Sequence, residues 1–147
     1  MSKAVIEHLN LELATAFMQS FNARRYHWMV SGPHFRDYHL RFSDLYEAVD
    51  GTIDELAERV RMLDGTPITT PSQMESLSVV KPSDTKKRPG AADMVKEALA
   101  AEDKIAALMH KGIEIANQAN DPGTADLLTR FIQVHQKEAW FLREMLA

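Results

Sequence analysis

Residues 35–65 read FRDYHLRFSDLYEAVDGTIDELAERVRMLDG, and their periodicity decides the fold. Phe35, His39, Phe42, Tyr46, Val49, Ile53, Leu56, Val60 and Leu63 recur in alternating steps of four and three without a slip. That is the period of a helix turning one face to a core, and Asp64-Gly65 supplies its stop. Upstream, Ser31-Gly32-Pro33 breaks the chain after a first helix from about Lys3 to Val30, with Leu9, Leu13, Phe17 and Phe21 as its apolar stripe. Downstream, six prolines and glycines fall between Gly65 and Gly90, a long connection in which Gln73 to Val80 is read as a short helix. A third helix is expected from about Ala91 to Ala119, with Met94, Leu99, Ile105, Leu108 and Ile115 facing inward. Asn120-Asp121-Pro122-Gly123 ends it, and a fourth helix carries Leu127, Phe131, Val134, Phe141 and Met145. Two tight hairpins and one long middle connection predict an all-α, four-helix bundle with a crossover, one domain spanning residues 1–147.

The bulk numbers narrow the function classes. A formal charge of −4 and a pI near 5.8 argue against a basic nucleic-acid surface. The chain has no cysteine, so disulfides and thiolate metal sites are excluded. No run approaches a membrane span, and the first residues, Met1-Ser2-Lys3-Ala4-Val5-Ile6-Glu7-His8, carry charge where a secretory leader has an apolar stretch. The expectation is a soluble, cytoplasmic protein.

Four potential metal ligands lie around the core-facing stretch: His27, His39, Asp54 and Glu58. Two imidazoles with two carboxylates suit a divalent transition metal, iron among them. If the first two helices form an antiparallel hairpin about Gly32-Pro33, positions summing to about 65 are neighbours. His27 and His39 then meet near the turn. Asp54 and Glu58 share a helix face but cannot reach them, because fifteen residues of helix put His39 roughly 22 Å from Asp54 at 1.5 Å per residue. Either two half-sites stand apart, or a twofold-related second chain brings its carboxylates to the histidines and creates two identical sites. Other roles compete for the same residues. His39 on an apolar seam can be a hydrogen-bonded core residue, His27 a helix cap, and Asp54 and Glu58 a solvated face paired with Arg61. His8 sums with Glu58 to 66 and competes for it within one chain. The bundle-centred di-iron arrangement built on Glu-x-x-His is not present, since no histidine has a glutamate three residues before it.

The run Asn22-x-x-x-Tyr26-His27-Trp28-x-Val30-x-Gly32-Pro33-x-Phe35-x-x-x-His39, continuing through Leu45-Tyr46 to Ile53-Asp54-Glu55-x-Ala57-Glu58-Arg59, closely resembles the Dps family, the mini-ferritins also known as DNA-binding proteins from starved cells. The likeness is densest over residues 22–67 and continues through Thr124-x-Asp126-Leu127-Leu128 and Trp140-Phe141-Leu142-Arg143. The resemblance implies a ferritin-like subunit of a hollow homododecamer. Its iron-oxidising centre would lie at the twofold interface, with His27 and His39 from one subunit and Asp54 and Glu58 from its partner. Fe(II) would be the substrate, hydrogen peroxide the favoured oxidant, and Fe(III) mineral the stored product, with protection from oxidative stress as the result. Trp28 and Tyr26 would stand beside the site as electron donors, unless both are ordinary interface or core aromatics. Asp121 and Asp126 would line threefold pores for iron entry; helix-start chemistry is their other reading.

Two departures qualify that carry-over. Many family members place an aspartate four residues after the second histidine, where this chain has Ser43; Asp44 lies about 100° round the helix. The lysine-rich tail of DNA-binding members is missing, leaving Lys86-Lys87-Arg88 as the one basic cluster. DNA binding is therefore not expected. The rival reading is a DNA-compacting or structural cage with a vestigial metal site, and a third is zinc or manganese binding without redox turnover.

Overall fold

A computed structural model describes residues 2–84 and 86–147. Five helices follow in order: α1 (Ser2–Met29), α2 (Phe35–Met62), α3 (Pro71–Leu77), α4 (Ala91–Gln118) and α5 (Pro122–Leu146), and among the described residues there is no strand. α1 pairs with α2 and α4 with α5; α1 also packs on α4, α2 on α5, and the short α3 lies against α1. This is the expected bundle of four long helices joined by a crossover.

The turns follow from local chemistry. α1 stops at Met29, and the chain reverses through Gly32 at φ 95° and His34 at φ 61°. The left-handed region is open to glycine at little cost, whereas His34 occupies it as a residue with a Cβ. α3 begins at Pro71, earlier than the expected Gln73, because Thr70 and Gln73 form a reciprocal capping box with Pro71 at the first helical position. Ser78 is its C-cap, so the helix ends at Leu77 and not at Val80.

Two asparagines on α1 fix the crossover to the bundle. Asn10 donates to the Thr66 carbonyl at 3.1 Å and accepts from Ile68 N–H at 3.0 Å. Asn22 repeats the device with the Lys81 carbonyl at 2.9 Å and Ser83 N–H at 2.8 Å. Each amide satisfies one donor and one acceptor of a segment that has no ladder of its own.

Leu9, Leu13, Phe42, Leu45, Val49, Leu56, Ile105 and Leu128 form the dry centre. Three sequence expectations shift. Phe21 and Phe35 are 48 % and 41 % exposed, on the outer face of the α1–α2 hairpin. In α4, Leu99, Leu108 and Ile115 are only partly buried, while Ala98, Ala101, Glu102 and Met109 face the core. In α5 the interior line runs Phe131, His135, Glu138 and Leu142, with Val134 and Phe141 beside it. An apolar-only stripe passes over His135 and Glu138, and that moves the inferred face round the helix.

Candidate metal centre

The hairpin brings His27 and His39 together at its turn end. Their rings stack with centroids 3.6 Å apart and planes at 15°. Each Nδ1–H donates to the backbone carbonyl of the other: His27 Nδ1 to His39 O at 2.6 Å, and His39 Nδ1 to His27 O at 2.7 Å. A carbonyl can only accept, so both Nδ1 atoms carry a hydrogen, and in the neutral ring the lone pair is then on Nε2. His27 O is one of the last four carbonyls of α1, which a helix cannot satisfy internally. His39 therefore caps α1, while fixing its own tautomer as a ligating imidazole requires. Phe35 meets His39 edge-on at 5.0 Å and 86°, and Tyr46 meets His27 at 5.6 Å and 80°.

Asp54 and Glu58 lie far along α2, which is continuous from Phe35 to Met62, so the separation from His39 stays at about 22 Å. Both carboxylates are exposed. Their neighbours are engaged elsewhere: Asp50 with Arg24, Glu55 with Arg130, and Arg61 with the Gly65 carbonyl at 2.6 Å. Asp54 sits in a groove with Phe17, Phe21 and Ile53. Among the described residues no three His, Asp or Glu side chains are placed together to hold a metal ion. The four predicted ligands stand as two separate pairs, the histidines at the turn end of the hairpin and the carboxylates further along α2, where Asp54 lines the groove beside Phe21 and Glu58 a second one beside Arg59 and Arg130. His8 does not reach Glu58; it is buried and bonded to Glu12 at 3.1 Å and the Leu108 carbonyl at 2.9 Å.

The chain matches the sequence model of the ferritin-like domain over residues 6–147. It is 32 % identical over 146 residues to DNA protection during starvation protein 2 of Bacillus anthracis, covering 99 % of each chain. Among solved structures it is similar to Dps from Thermosynechococcus elongatus, with 43 % identity, a TM-score of 0.95, and coverage of 99 % of this chain and 91 % of that one. It is also similar to a Dps protein from Vibrio cholerae O1 described as a member of a broad superfamily of ferritin-like diiron-carboxylate proteins, with 25 % identity, a TM-score of 0.93, and coverage of 99 % and 91 %. The chain belongs to the Dps family.

In this Dps chain the aromatic neighbours of His27 part company. Tyr26 is 2 % exposed and packs on Phe42 at 5.3 Å, its hydroxyl pushed up from the ordinary value, first by burial and then by Glu97. Trp28 is 71 % exposed. Ser43 turns its hydroxyl back to the Leu40 carbonyl at 2.8 Å, and Asp44 is exposed. At the start of α5, Asp121 is the N-cap, accepting from Thr124 N–H at 3.0 Å and from Arg59 Nη2 at 2.7 Å. Burial alone would raise its carboxyl, but the Thr124 and Arg59 bonds leave it below the usual range. Asp126 is exposed and pairs with Arg130 at 3.6 Å. The basic loop folds back on α1, with Arg25 donating to the Asp84 and Lys87 carbonyls and Arg88 to the Met29 carbonyl.

The sequence reading passed over a second set of the same residue types. Inside the bundle His135 Nδ1 meets Glu102 at 2.5 Å, with neither side chain exposed, and His8 meets Glu12. Glu138, also buried, is paired with Arg41. Burial raises the carboxyl of Glu12 and that of Glu138. A glutamate or histidine at a core-facing heptad position was the available signal, and it is visible only once polar residues are admitted to the interior stripe. Among the described residues no helix is long and apolar enough to cross a membrane.

Proposed function

We propose that this protein is a cytoplasmic iron-storing and iron-detoxifying mini-ferritin, a ferroxidase acting as a homododecamer built from twofold dimers. The observation that carries the reading is the stacked pair of imidazoles whose Nδ1–H groups are both spent on backbone carbonyls, leaving Nε2 of each ring for a ligand, with two exposed carboxylates on the same hairpin. A second copy related by a twofold axis would bring Asp54 and Glu58 to those nitrogens, and the exposed Phe21 beside Asp54 would be covered in the same contact. Fe(II) is the substrate. Two Fe(II) give two electrons to one hydrogen peroxide, which takes two protons and leaves as two waters; the Fe(III) then hydrolyses and is stored as mineral. Consuming Fe(II) and peroxide together removes the reactants of hydroxyl-radical formation.

Ser43, bonded to its own helix, offers no fifth ligand. The site accordingly holds one iron firmly and a second only in passing. Asp126, exposed at the start of α5, is assigned to iron entry together with Asp121, whose capping role already fixes its position. DNA binding is not assigned to this protein, because the chain carries a formal net charge of −4 and Arg88 of the one basic cluster is turned to the Met29 carbonyl.

The test adds Fe(II) and peroxide anaerobically to the wild type and to the His27→Ala, His39→Ala double variant. Ferric absorbance and particle size are followed together. Oxidation is expected to fall at least tenfold in the variant while the wild type sediments as a dodecamer. Equal rates would remove the assigned site, and a wild-type monomer would remove the shared one.

A further inference from the structure

The histidine pair is braced from behind by a column of side chains that alternates between α1 and α2. Beyond the Tyr46 edge on His27, the Arg24 guanidinium carbon lies 4.2 Å from the Tyr46 ring centroid. Arg24 is held in turn by Asp50, Nη2 to Oδ2 at 2.6 Å and Nη1 to Oδ1 at 3.3 Å, and Ser20 donates to the same Asp50 oxygen. The contacts are directional. A ring edge is positive and seeks the face of its neighbour, a cation seeks the ring face, and a two-pronged carboxylate fixes the plane of a guanidinium as it cannot fix an ammonium. The Arg24 and Asp50 side chains are 30 % and 36 % exposed, a setting in which an ion pair adds little to folding. What it does determine is where Tyr46 stands, and so where His27 can turn.

We propose that Arg24 and Tyr46, locked by Asp50, are positioning residues of the metal site, setting the plane of the His27 ring and hence the direction of its Nε2 lone pair. This rests on the reading of His27 and His39 as ligands. Outer partners of ligating histidines characteristically change metal affinity by 10–100-fold.

The assembled protein is titrated with cobalt(II) under argon, and the visible d–d bands report both affinity and ligand geometry. Arg24→Gln and Tyr46→Leu are expected to weaken cobalt binding about tenfold and to shift the band pattern, Arg24→Gln with little change in the melting temperature. Tyr46→Phe, which keeps the ring, is expected to behave as wild type. Arg24→Lys keeps a charge over the ring without the fork to Asp50, and is expected to fall between wild type and Arg24→Gln. Asp50→Asn frees Arg24 with the smallest disturbance of packing, and is expected to show the same shift if Tyr46→Leu fails to assemble. Wild-type affinity and bands in Arg24→Gln and Asp50→Asn, with cobalt binding abolished in His27→Ala, His39→Ala, would overturn the positioning role and leave the site standing. Unchanged cobalt binding in the histidine double variant would instead overturn the site itself.

Discussion

At the turn end of the α1–α2 hairpin, His27 and His39 give their Nδ1 hydrogens to backbone carbonyls and keep a ring nitrogen each. In the bundle interior, His8 and His135 turn against Glu12 and Glu102 of the same chain. Both regions are built from imidazoles and carboxylates, yet only the first reaches the surface. In the interior each imidazole is already paired with a carboxylate, His8 with Glu12 along α1 and His135 of α5 with Glu102 of α4, in a dry setting where a lone charge is costly. On the hairpin, two carboxylates and two imidazoles of one chain are held apart by the stiffness of α2. The two sets thus differ in what the fold leaves accessible, and residue type alone does not report it.

That contrast can be broken most directly by removing half of an interior pair. Glu102→Leu should cost about 3–5 kcal/mol, because His135 is left alone in the core, and the double Glu102→Leu, His135→Leu should cost less than the single change. Denaturant unfolding at fixed protein concentration reads both. Iron oxidation per folded subunit should be unchanged. The exposed α2 carboxylates should behave in reverse: Asp54→Asn with Glu58→Gln should lower oxidation severely and alter stability by no more than about 0.5 kcal/mol, as exposed substitutions do.

Smaller effects sharpen the interior side. A Cβ at Gly112 would lie 2.7 Å from the His8 ring and 2.8 Å from Glu12 Oε1, so Gly112→Ala should cost about 1–3 kcal/mol by overpacking. A cost near zero would show that the His8–Glu12 pair is loosely seated. The same pair predicts a pH slope. Burial raises Glu12 above its ordinary 4.5; burial alone would lower His8, but its bonds to Glu12 raise it above 6.5. The native state then retains protons that the unfolded chain has released. The pair's contribution is complete below the ordinary values and is lost as pH rises through the folded ones. Glu12→Gln should flatten the fall in stability from pH 4.5 upward, measured by denaturant midpoints across pH. Asp121→Ala removes the α5 cap and should cost about 1 kcal/mol, visible as a lower melting temperature.

The helices were legible because the α2 seam never slips and because Gly32-Pro33 and Pro122 mark the hairpins. The meeting of His27 with His39 followed from counting across the turn, and its outcome is the observed stack. Three things were not legible. The capping box at Thr70 is local chemistry hidden in a stretch dominated by proline. The inward faces of α4 and α5 were displaced by Glu102, His135 and Glu138, since a stripe read from apolar residues assigns polar ones to solvent. The reciprocal Nδ1 bonds depend on ring rotation, which spacing does not fix. Spacing did identify Asp54 and Glu58 as a pair on one exposed face of α2.

His39 has one further consequence, for how such a sequence would change over time. Its imidazole closes the end of the opposing helix by accepting the duty of a missing backbone donor at His27 O. Selection for a folded subunit would therefore keep His39 even in a lineage with no use for iron. Asp54 and Glu58, exposed beside neighbours that are otherwise engaged, have no such protection. In a descendant that gave up the chemistry, the carboxylates would drift first, and their persistence is the better witness to an active site.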